Sequence, residues 1–106
     1  MGTKAIHLSV EKGSVVVTRD PEYVDLLEEA VWDSDDEFTV RFEFEDACPF
    51  GENNRVFHRG KHTGRPRVET GERPYHYTVH LCGYTGRAAI KIGPTPKPLR
   101  TSLATS

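Results

Sequence analysis

The chain has 106 residues, 36% of them hydrophobic and 28% charged, and a formal net charge of −2. That length is the commonest size for one domain. No apolar run approaches the ~20 residues of a membrane-spanning helix, and the absence of a net basic balance argues against a dedicated nucleic-acid binder. The small total conceals a polarity along the chain: residues 1–54 hold 14 acids and 4 bases, and residues 55–106 hold 10 bases and 2 acids.

The elements follow in chain order. The stretch from Met1 to His7 has no apolar run followed by small residues, so no secretory leader is expected and a cytoplasmic setting is. In such a setting Cys48 and Cys82 are expected as reduced thiols, with a bridge between them as the alternative. Ile6, Leu8 and Val10 alternate with His7 and Ser9, the pattern of a strand with one buried face. Lys12-Gly13 marks a turn, and Val15-Val16-Val17 is a β-branched run suited to a strand.

Residues 20–32 support two readings. Asp20-Pro21-Glu22 is a good helix opening, followed by Tyr23, Leu26, Leu27, Ala30 and Val31 near one stripe. The rival reading has strands at 23–26 and 30–33 with a turn at Glu28-Glu29. It is preferred because the neighbouring segments are strands. Asp33, Asp35, Asp36 and Glu37 crowd the next turn. They lack the glycine a calcium loop requires, so a solvated hairpin turn is expected there.

Phe38, Val40, Phe42 and Phe44 alternate with polar residues, the cleanest period-two pattern in the chain. Residues 51–73 form a long, glycine-containing connection with short pairing pieces expected at 55–58 and 67–69. Tyr75, Tyr77, Val79 and Leu81 alternate with His76, Thr78 and His80. A turn at 83–86 then leads to a last strand at 88–92. Pro94, Pro96 and Pro98 end that strand, so residues 1–93 make the domain and 94–106 a flexible tail. The expected fold is all-β: a single antiparallel β-sandwich of about seven strands, with a long loop between the Phe-rich and Tyr-rich strands.

Val31-Trp32, Phe38-Thr39-Val40-Arg41-Phe42, Pro49-Phe50, Tyr75-His76-Tyr77-Thr78-Val79 and Ile90-Lys91-Ile92 together resemble small bacterial cupredoxin-like and immunoglobulin-like sandwiches. The resemblance spans about residues 5–93 and implies a Trp-anchored core. It does not extend to copper. Acids follow Trp32 where that family's first His ligand would stand. Cys82 is followed by Gly83-Tyr84-Thr85-Gly86, without His or Met, and the only methionine is Met1. No bound cofactor or metal is therefore expected, with Cys82 and His80 as the residues of a metal-binding alternative.

A second, local resemblance lies in His58-Arg59-Gly60-Lys61-His62-Thr63-Gly64-Arg65-Pro66. This run resembles the end of a Cys-Cys-His-His zinc finger and its linker, as does Thr70-Gly71-Glu72-Arg73-Pro74-Tyr75. The Cys pair such a finger needs is missing, because only Cys48 stands upstream.

No serine elbow or phosphate loop is present, so no enzyme is expected. The candidate site is a charged surface. Arg55, Arg59, Lys61, Arg65, Arg67 and Arg73 form a basic loop, flanked by Tyr84 and Arg87, and Asp33, Asp35, Asp36 and Glu37 form an opposed acidic surface. The bases could pair with the chain's own acids, bind an acidic protein surface, or contact phosphates. The resulting expectation is a non-catalytic protein-interaction module that binds a partner or itself through these charges. A nucleic-acid-binding module through residues 55–73 is the further alternative.

Overall fold

The computed structural model describes residues 2–43, 48–51 and 53–94. Among them are eight strands and no helix: β1 (Gly2–Glu11), β2 (Ser14–Val17), β3 (Glu22–Val24), β4 (Glu28–Asp33), β5 (Phe38–Phe42), β6 (Val56–Phe57), β7 (Tyr75–Leu81) and β8 (Tyr84–Ile92). They form a three-stranded sheet, β2-β1-β4, and a five-stranded sheet, β3-β8-β7-β5-β6. The sheets share one core and do not close into a barrel, a sandwich-like arrangement.

The two tight hairpins follow from local sequence. Lys12 and Gly13 both have positive φ (54° and 80°), as do Cys82 and Gly83 (55° and 81°). Positive φ at both central residues twists a two-residue turn to match its flanking strands. The second turn thus sits at 82–83, and β8 begins at Tyr84 instead of residue 88.

The sheets are not purely antiparallel, which corrects the sequence expectation. β1 pairs with β4 in parallel, and so does β3 with β8. After β2 the chain crosses to the edge of the other sheet as β3, then returns to the first sheet as β4. A strand arriving by such a crossing is free of the antiparallel direction that a tight hairpin imposes.

Residues 20–32 are thus strands, but their turn lies at 25–27. Glu28 N donates to Asp25 O (3.0 Å), and Glu28 Oε1 accepts from Asp25 N (2.9 Å). Leu26 and Leu27, which a helical stripe would have buried, are exposed at this turn.

Trp32 lies at the centre of the core, fully buried. Its ring stands 5.2 Å from Tyr77, 5.3 Å from Phe57 and 6.0 Å from Phe42, centroid to centroid. Tilted and edge-on contacts of this kind add to the stabilisation from burial alone. Burial also pushes the Tyr77 phenol well above its usual range. Ile6 and Leu8 are buried as their alternation predicts, and Val10 packs against the cluster from its margin. Phe44 and residues 95–106 lie outside the described residues.

Candidate interaction surface

The basic stretch is built into one side of the sandwich. Phe57 and Phe50 are buried in the core, and Thr63 is only 4% exposed. β6 pairs with β5, the edge it extends in the five-stranded sheet. A few residues later Thr63 N donates to Ala30 O (2.9 Å), Ala30 N donates to Thr63 Oγ1 (2.8 Å), and His62 bridges to Val31. Asn54 Nδ2 donates to Thr63 O (2.9 Å), and Arg67 N donates to Pro49 O (2.7 Å). Residues 54–67 therefore tie the open edge of one sheet to the open edge of the other. The long connection is therefore not a free loop: it carries two buried residues, Phe57 and Thr63, whose burial draws it in. The expected pairing piece at 55–58 is β6, whereas 67–69 is not a strand and its place is taken by the His62 bridge.

From this wall the cations point outward. Arg59 and Lys61 are exposed. Arg59 Nη2 donates to Ser34 O (3.0 Å), and Lys61 Nζ donates to Val56 O (3.0 Å) while lying 5.0 Å over the Phe57 ring. Arg55 Nη1 donates to Glu43 O (2.9 Å). For Arg59 and Lys61 these partners are backbone carbonyls, which orient the cations without cancelling their charge. His62 does meet a carboxylate, with Nδ1 3.1 Å from Glu29 Oε2. Arg65 lines an open cleft of about 400 Å³ with Leu27, Glu28 and Glu29. Arg67 lines another, beside Phe50 and Asn54. Arg73 lies farther along, over the ring of Tyr75 at 5.2 Å.

Asp33 at the end of β4 and Asp35, Asp36 and Glu37 in the turn to β5 are all exposed. Asp33 Oδ1 lies 3.0 Å from His7 Nδ1, its register partner on β1. The Asp36 carboxylate near the β7–β8 turn holds the Cys82 thiol above its usual range. Through the Arg59–Ser34 contact the acidic turn adjoins the basic wall, so the two charged regions meet at that point.

One further cation belongs to the surface, Arg41, which sequence reading did not single out, and it lies near the flanking Arg87. Arg41 faces outward on β5, opposite Val56 on one side and Thr78 on the other; Thr78 in turn faces Arg87. Arg41 thus continues the wall onto the outer face of the large sheet, where Arg87 forms a two-point ion pair with Glu43 (2.6 and 3.0 Å). Period-two alternation already turned Arg41 away from the core, but only strand register brings it beside Arg55. His76, Thr78 and His80 share that outer face, as the alternation predicts, and His80 Nδ1 lies 3.4 Å from Thr85 Oγ1. Among the described residues no group of three or more His, Cys, Asp or Glu side chains is placed to hold a metal ion. No helix of the described residues is long and apolar enough to cross a membrane.

No protein-family model and no curated protein matches the chain.

Proposed function

We propose that this protein is a non-catalytic interaction module, on a sandwich of the immunoglobulin-like or cupredoxin-like kind, that binds an acidic protein segment. The contact surface is the cationic wall of Arg55, Arg59 and Lys61, extended by Arg41. One observation carries this reading: the wall is anchored through buried Phe57 and Thr63, while Arg59 and Lys61 project from it on carbonyl partners. Cations held in place lose less freedom on binding than cations on a mobile loop. The exposed charges bring a partner in by steering and set its orientation, more than they supply affinity. Both cysteines are thiols, which supports a cytoplasmic setting as part of the same reading.

The test compares two fluorescent probes of equal charge, an Asp/Glu-rich peptide and a single-stranded oligonucleotide, by anisotropy. The peptide is expected to bind and to weaken as salt rises, because screening shortens the reach of exposed charges to about 8 Å at physiological ionic strength. Arg59→Ala/Lys61→Ala is expected to weaken it about tenfold at low salt without changing the unfolding midpoint. Preference for the oligonucleotide would transfer the reading to nucleic acid. Binding of neither probe, or equal binding by the double variant, would remove the wall as the contact surface.

A further inference from the structure

The opposite edge of the small sheet supports a separate inference, independent of the cationic wall. β2 is the outer strand there, on the far side of β1 from β4. Its backbone directions follow from its register. Thr18 N donates to His7 O (3.1 Å), so Thr18 faces β1, and Val16 (opposite Ser9) and Ser14 (opposite Glu11) do the same. In an antiparallel pair the alternate residues turn their N–H and C=O groups the other way. Val15 and Val17 therefore direct theirs outward, away from β1.

Other outer edges in this molecule carry caps. On β3, Tyr23 N donates to Glu22 Oε1 (3.0 Å). On β4, Ala30 is occupied by Thr63. On β6, Val56 O accepts from Lys61 Nζ (3.0 Å), and beyond β3 on β8, Ala89 N donates to Asp20 Oδ1 (3.0 Å). Caps and edge charges of this kind block unwanted strand pairing. Among the described residues, no hydrogen bond reaches the outward groups of Val15 and Val17. The strand itself, Ser-Val-Val-Val, has no charge, and Val16 is 37% exposed while its neighbours pack on the core.

We infer that two copies of this chain pair through the outer edge of β2, antiparallel about a two-fold axis at Val16. That axis sets Val15 of one copy opposite Val17 of the other, each pair exchanging both N–H···O bonds, and brings the two Val16 side chains together in a close, non-hydrogen-bonded pair. The edge is complementary to itself. Ser14–Val17, the residues that meet across the axis, carry no charge, so no like charges are paired within the strand. A second copy is thus the occupant its chemistry fits. Because the contact is made of backbone bonds and apolar side chains, it withstands salt, whereas binding at the cationic wall does not.

Sedimentation equilibrium at rising protein concentration and at about 0.5 M salt, where charge contacts are screened to within several Å, tests this. The mass is expected to climb from the 11.9 kDa monomer toward twice that value. Val16→Lys sets like charges directly opposite each other, and is expected to weaken the dimer about tenfold or more while leaving circular dichroism and the unfolding midpoint unchanged. Val16→Cys in a Cys82→Ser background is expected to form an intermolecular disulfide under mild oxidation, since the two positions face each other. A monomer at every concentration, a dimer untouched by Val16→Lys, or no cross-link at position 16 would overturn the inference. None of these outcomes bears on the peptide binding proposed above.

Discussion

Thr63→Val changes one atom group and preserves shape, so its effect isolates the hydrogen bonds that fasten the basic wall to β4. Thr63 Oγ1 accepts from Ala30 N (2.8 Å) and donates to Gly64 O (2.8 Å). Ala30 is fully buried, and Gly64 is exposed. Valine leaves the Ala30 N–H without an acceptor where water cannot replace it, a cost of about 1–3 kcal/mol. The Gly64 carbonyl turns to solvent at little cost. The added methyl offsets at most ~0.8 kcal/mol, so the net loss is on the order of 1–2 kcal/mol. In a domain of this size each kcal/mol moves the melting temperature by roughly 4–8 °C.

Thr63→Ser retains the acceptor and loses only a methyl group, so it is expected to stay closer to the parent protein. Urea unfolding followed by Trp32 fluorescence gives both values, provided the slope with denaturant is common to the three proteins. A Thr63→Val protein within ~0.5 kcal/mol of the parent, the spread of an ordinary surface substitution, would refute the burial argument. It would also refute the claim that residues 54–67 form a wall of the sandwich.

Two more expectations follow from close contacts elsewhere. A Cβ at Gly86 would stand 2.7 Å from Val15 Cβ, so Gly86→Ala forces β2 off β8 and is expected to cost about 1–3 kcal/mol. A double-mutant cycle with Val15→Ala should return part of that loss, and strict additivity would show that the two sites do not touch. At Cys82, the neighbouring Asp36 carboxylate favours the protonated thiol. That contribution to stability is complete below the unfolded thiol's pKa and is lost as pH rises through the raised folded value. Thiolate is the reactive form, so alkylation of Cys82 at mildly alkaline pH should be slow and should speed up in Asp36→Asn. Mass spectrometry reads the rate, and equal rates in the two proteins would sink the assignment.

The all-β character and most of the buried face were legible in the sequence, because alternation is a local signal. Ile6 and Leu8, Phe38 to Phe42, and Tyr75 to Leu81 each display their inward residues two apart, and their outward residues, Arg41 and His80 among them, by the same count. The charged candidates were legible as residues but not as a surface. Arg59, Lys61 and Arg55 lie in a stretch without periodicity, where nothing local marks Phe57 and Thr63 as core or turns the loop into a wall.

What the chain determines by itself is therefore a set of strands, their inward faces, and two hairpins whose positive-φ turns need only neighbouring residues. Which strands become neighbours across the domain was decided in three dimensions. The crossing from β2 to β3 and back to β4 makes two pairs parallel, and burial of Thr63 against Ala30 places the cations beside the acidic turn. Both outcomes depend on satisfying backbone groups of residues far apart in sequence, and no pattern within a short window records that requirement.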